Sequence, residues 1–137
     1  MTIEIVVIAV FTLLVVVILG IFIFRRLPKK LRVEKYTKQW KELQQKCRDK
    51  SKWPLALSEA EKLLEKALKR RKYKGKTMGE MMVSAQKNFT DNDGVWFAHN
   101  LYKKVNAGQV KNIKEDDIKD ALIAYRQALR DLGALPK

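Results

Sequence analysis

The residues able to do chemistry in this chain are few and dispersed. There is one histidine, His99, and one cysteine, Cys47. A tetrahedral zinc site needs more nitrogen and sulfur ligands than that pair supplies, so no metal is expected. No Gly-rich phosphate loop and no His-Glu-x-x-His motif occurs, and no Cys/His pair stands near a carboxylate motif. His99 reads as a structural or surface histidine one position off a helical stripe, with a lone general base as the sharper alternative. Acidic residues fall mainly in first turns and on faces expected to be exposed. Thr90–Gly94 resembles the start of a calcium loop, but the twelfth position from Asp91 is Tyr102 where a Glu is required, so that reading fails. No catalytic residue, cofactor or small-molecule substrate is expected, and the chain reads as a non-enzyme.

Positive charge is what this sequence concentrates. Net charge is +14, and Glu4 is the one charged side chain before Arg25. Everything after it therefore stands at +15, a field that favours nucleic acid or an anionic membrane face. Lys69, Arg70, Arg71, Lys72, Lys74 and Lys76 form the densest cluster, with Gly75 within it. A helix C-terminus attracts cations and a closing glycine, which explains where the cluster stands but not how dense it is. It is a candidate polyanion-binding patch, contacting phosphates without reading bases.

A different kind of element must hold this charge in place. Ile5–Phe24 is twenty residues without a charge, interrupted by Thr12 and Gly20 alone. As a helix it spans roughly 30 Å, about the hydrocarbon thickness of a bilayer. A cleaved signal peptide would show a basic start, a shorter apolar run and a small-residue cleavage site, whereas this chain shows Met-Thr-Ile-Glu before the run and Arg-Arg-Leu-Pro-Lys-Lys-Leu-Arg after it. An uncleaved transmembrane helix is expected. Arg25, Arg26, Lys29, Lys30 and Arg32 directly succeed the span and place the remainder of the chain in the cytoplasm, the lone Cys47 suiting a reducing compartment. The expected layout is an extracytoplasmic segment 1–4, a membrane helix 5–24, a basic connector 25–33 at the anionic headgroups, and a cytoplasmic domain 34–137. In a bacterium the membrane would be the inner one. Gly20 has no small residue four positions away, so the span carries no packing motif.

The remaining chain is periodic at helical spacing, with no period-two alternation. Tyr36, Trp40, Leu43 and Cys47 make one face of a helix over about 33–47, the aromatics reading as core rather than as a base-stacking platform. Pro54 opens a second helix, about 53–72, whose stripe is Leu57, Ala60, Leu64, Ala67 and Leu68, with Glu59, Glu61 and Glu65 in its first half. Thr77 and Glu80 fit a capping box for a third helix that turns Met81, Met82, Ala85 and Phe89 inward. Met78, Met81 and Met82 are a candidate adaptable partner surface, core filling being the stronger reading. Val95, Ala98, Tyr102 and Val105 stripe a helix over about 95–106. Ile118, Ala121, Leu122, Tyr125, Leu129 and Leu132 stripe the last, about 114–132. The expected fold is all-α, a transmembrane helix followed by a compact four-helix cytoplasmic bundle.

The segments from Gly94 to Gly108 and from Ala121 to Leu135, with Ala60–Leu68 and Tyr73–Glu80, resemble uncharacterised membrane-anchored proteins of small-genome bacteria of the candidate-phyla type, over roughly residues 34–135. Those look like HEPN-type helical bundles. The HEPN ribonuclease motif is an Arg, a polar residue and, a few positions on, a His. The matching positions here are Tyr102, Lys103 and Ala107, so the resemblance implies a copy inactive as a nuclease. The expectation is a membrane-anchored interaction or scaffold protein presenting a basic domain to another protein or a second copy. A membrane-tethered RNA-binding or degenerate nuclease-like module is the alternative.

Overall fold

The computed structural model describes residues 2–27 and 30–137; Lys29 lies outside them. Among the described residues there are six α-helices, one 3-10 turn and no strand. Helix α1 is Thr2–Arg26 and has no buried residue. It is long and apolar enough to cross a membrane. Its internal polar group is quieted locally, with the Thr12 hydroxyl donating to the Ile8 carbonyl at 2.6 Å.

The other helices are α2 (Val33–Lys46), α3 (Trp53–Arg70), α4 (Met78–Ala85), α5 (Asn92–Asn106) and α6 (Glu115–Asp131). They make five helices, each anticipated by a stripe or a cap in the sequence, so the bundle has one more than the four expected of the fold; α4, the third, is eight residues long. It exists because its start is well capped. Glu80 N–H donates to the Thr77 hydroxyl at 3.2 Å, while the Glu80 carboxylate accepts from Thr77 N–H at 3.3 Å and Lys76 N–H at 2.6 Å. Gly75 lies directly beneath this turn, where a Cβ would come within 2.6 Å of the Met81 amide nitrogen. Asp91 caps α5 through Gly94 N–H at 2.9 Å, so the acidic turn there serves a helix start.

The apolar stripes meet in one core. Tyr36, Trp40 and Leu43 come from α2, Leu57, Leu64 and Leu68 from α3, Val95 and Ala98 from α5, and Tyr125 and Leu129 from α6. Helix α6 packs on both α5 and α3, and α3 packs on α2, α4 and α5, which makes α3 the hub. Lys46 at the end of α2 pairs with Glu59 at the start of α3, while Lys66 near the end of α3 lies over the Tyr36 ring at the start of α2. Helices α2 and α3 therefore run antiparallel.

One departure from the sequence reading bears on function. The connector assigned to 25–33 is not free along its length, because Leu31 is 5% exposed and belongs to the domain core. The chain enters the core at Leu31, two residues before α2 begins. Replacing Leu31 with Ala should destabilise the domain by about 2–4 kcal/mol, the usual cost of truncating a buried leucine. In the detergent-solubilised full chain this is read as a lower midpoint of tryptophan-fluorescence unfolding and faster tryptic cleavage after Lys30. An unchanged midpoint would show that Leu31 is not anchored.

Candidate functional site

Two arrangements of polar side chains stand out, one sealed in the core and one on the surface. The sealed one centres on Glu61, which is 2% exposed on α3. One carboxylate oxygen, Oε1, lies 2.6 Å from Nδ1 of His99 on α5, and the other, Oε2, accepts from the Tyr125 hydroxyl on α6. As a carboxylate Glu61 can only accept, so the bond to His99 requires the hydrogen on Nδ1 and leaves Nε2 as the free ring nitrogen. His99 is itself 7% exposed, and the edge of its ring packs against Trp96, with centroids 5.9 Å apart at 76°. Burial first, then the charge of Glu61 and the bond to it, pushes the Tyr125 phenol far above its ordinary value of 10.0.

A carboxylate that fixes an imidazole through Nδ1 is half of a nucleophilic triad, the other half being a hydroxyl or thiol on Nε2. Among the described residues the one side chain that hydrogen-bonds His99 is Glu61. Cys47 is engaged elsewhere, its thiol directed to the Leu43 carbonyl at 3.3 Å, and burial raises its pKa. What this arrangement does is hold three helices together.

Glu61 and its partners are what sequence reasoning missed. By charge Glu61 groups with the solvated acids of α3, yet it stands four residues after Leu57 and three before Leu64, on the apolar stripe itself. That position is the available signal. His99, read as off its stripe, is buried between Glu61 and Trp96.

The surface arrangement is the positive charge. Arg25 and Arg26 close α1, with the Arg26 guanidinium 4.2 Å from the centroid of Phe22. Lys30 and Arg32 are exposed, and Arg32 precedes the first turn of α2. Lys69 and Arg70 end α3, and Lys69 is paired with Glu65 at 2.8 Å. Arg71, Lys72, Lys74 and Lys76 form the loop to α4, with Arg71 half-buried and Lys72 turning the chain at φ 62°. Five of the six are exposed, and the sixth, Arg71, has its Nε buried. The methionines turn inward. Met81 and Met82 are each 1% exposed and Met78 is half-buried against the same core, so this group fills the interior and offers no partner surface. The motif positions Tyr102 and Ala107 lie apart in burial, Tyr102 packed on the core and Ala107 exposed with Lys103. No family model, curated protein or solved structure matches the chain.

Two measurements probe the sealed network. Glu61→Ala strips the acceptor from two buried donors and should cost about 3 kcal/mol or more, whereas an effect below about 1 kcal/mol would mean water replaces it. The Tyr125 phenol holds its proton in the folded chain beyond the pH at which the unfolded chain releases it. Its contribution is thus complete below about pH 10 and declines as pH rises above that. Unfolding midpoints tracked from neutral to alkaline pH should fall more steeply in the parent than in Tyr125→Phe. Parallel declines would remove Tyr125 as the cause.

Proposed function

We propose that this chain is a single-pass protein of the inner membrane whose basic helical domain is held in the cytoplasm and does no chemistry of its own. The observation that carries the reading is the contrast between α1 and the five helices after it. Helix α1 has the length and apolarity of a span and nothing in the domain covers it, yet after six residues the chain is a folded, charged bundle. The residues between are basic and bulky rather than small, which argues against a leader-peptide cleavage site. Arg25, Arg26, Lys29, Lys30 and Arg32 favour a cytoplasmic domain with the N-terminus outside. The likeness to HEPN-type bundles supports a helical-domain fold without a working nuclease site. A scaffold role, with another protein or a second copy as partner, is consistent with a core histidine locked between a carboxylate and an indole edge.

The alternative, a membrane-tethered RNA-binding module, draws on the exposed Lys69–Lys76 patch. The two separate in one preparation. The tagged full-length protein is purified from gently solubilised native membranes with and without nuclease, alongside a cytoplasm-only reporter fused after Lys137. We expect an active reporter, a protein released only on membrane solubilisation, and partners that survive nuclease. Partners lost on digestion, with RNA recovered, would replace the scaffold reading, and a silent reporter would reverse the orientation.

A further inference from the structure

The antiparallel packing of α2 on α3 assembles a cation site that neither helix contains alone. Lys66 and Arg70 stand four residues apart on one face of α3, and across from them the first turn of α2 brings Lys35 and Tyr36. The Lys66 ammonium lies 6.0 Å from the centroid of the Tyr36 ring. Contact with the Lys35 amine, then partial burial, then the charges of Lys35 and Arg70 hold Lys66 below the ordinary lysine value. Among the described residues none of the three cations is within ion-pair distance of a carboxylate. The other end of the same helix pair is different. There Glu42 and Glu59 share a cleft of about 310 Å³ with Lys46 and Lys62, and Lys46 is neutralised by Glu59; the cleft reaches along the pair to Lys66, which forms an ion pair with neither carboxylate. Beneath the unpaired end, the Tyr36 hydroxyl and the Arg71 Nε are buried without a hydrogen-bond partner.

Like charges gathered without a counter-charge are unfavourable unless an anion joins them. We propose that Lys35, Lys66 and Arg70 seat the phosphate of an anionic lipid headgroup, docking this end of the domain on the bilayer surface. The inference rests on the membrane-anchored reading of α1. Chain length selects the lipid. Helix α1 ends at Arg26 and Leu31 is already in the core, so four residues, five Cα-to-Cα steps or at most roughly 18 Å of extended chain, separate the span from the domain. The headgroup layer is within that reach. A single-stranded nucleic acid site pairs its cations with exposed rings for bases to stack on. Here Tyr36 and Trp40 are 3% and 5% exposed, so the rings at this site are closed to bases. A guanidinium with two ammonium groups suits a phosphate, the guanidinium supplying a fork and the amines point charges.

The test uses the full-length protein in nanodiscs of phosphatidylcholine alone or of an equal mixture with phosphatidylglycerol. A brief pulse of an amine-acylating reagent is read at each lysine by mass spectrometry. The reagent takes the neutral amine, so an anion that restores the ammonium form, and covers it, slows the reaction. We expect Lys35 and Lys66 to label about fivefold or more slowly in the anionic discs, with Lys104 and Lys111 unchanged, and the difference to shrink at high salt. Arg70→Gln should shrink the difference in Lys66 labelling between the two discs while tryptophan fluorescence reports an intact fold. Equal rates in both discs would overturn the headgroup site. Protection of both lysines by added oligouridylate in place of phosphatidylglycerol would overturn it in favour of RNA. A chain that does not enter discs of either kind would instead refute the membrane anchor.

Discussion

The domain is organised around one buried carboxylate. Glu61 on α3 binds His99 on α5 and Tyr125 on α6, and those are the helices whose mutual packing dominates the bundle. Taking a carboxylate out of water costs several kcal/mol, and two charge-assisted bonds recover it only when both donors are in place. Apolar stripes on three helices tolerate sliding by a turn, since one leucine can stand where another stood. A carboxylate with two directional partners does not. The network thus selects one register among the compact arrangements that the stripes allow.

On the outside, charge is distributed unevenly along the α2–α3 pair. Where the pair is joined, Lys46 meets Glu59. Where it opens, Lys35, Lys66 and Arg70 form no ion pair among the described residues, and the loop from Arg71 to Lys76 continues the same sign. Two helix dipoles explain this polarity only in part. Cations at the C-terminus of α3 complement its dipole, but Lys35 stands in the first turn of α2, where a positive charge is opposed. A residue placed against its own helix dipole and beside two like charges lowers stability. It is more easily understood as serving contact with an anion than as serving the fold.

Much of the architecture is legible in the sequence because it depends on local periodicity. Tyr36, Trp40 and Leu43, and the α6 positions Ile118, Ala121, Tyr125, Leu129 and Leu132, are buried where their spacing puts them. The capping box at Thr77 and Glu80 is readable for the same reason, being a contact within one turn. Pairings across helices are not. The charge of Glu61 masks its position on the stripe, because nothing local announces His99 and Tyr125, which lie 38 and 64 residues further on. Leu31 stands in a run of cations and gives no periodic signal of its own. The site at Lys35, Lys66 and Arg70 exists only once α2 and α3 are antiparallel, whereas the dense cluster from Lys69 onward is visible by eye and is distributed along a loop.

The short connection also sets how strong a headgroup contact has to be. A free domain with three cations would bind an anionic surface weakly, at the level of about 1 kcal/mol for each basic residue, and screening at physiological salt confines that attraction to about 8 Å. Tethering changes the comparison. If α1 lies in the bilayer as proposed, with Leu31 fixed in the core, docking is an intramolecular step between groups a few residues apart, governed by effective concentration rather than by encounter. A contact too weak to recruit the domain is then strong enough to orient it, and it chooses which face of the bundle is turned away from the membrane. Phe97 on α5 and Ile123 on α6 are exposed apolar side chains on helices other than the pair that carries the cations. On this proposal the anchor and the cation site have separate tasks: α1 sets where the domain is, and Lys35, Lys66 and Arg70 set which way it faces.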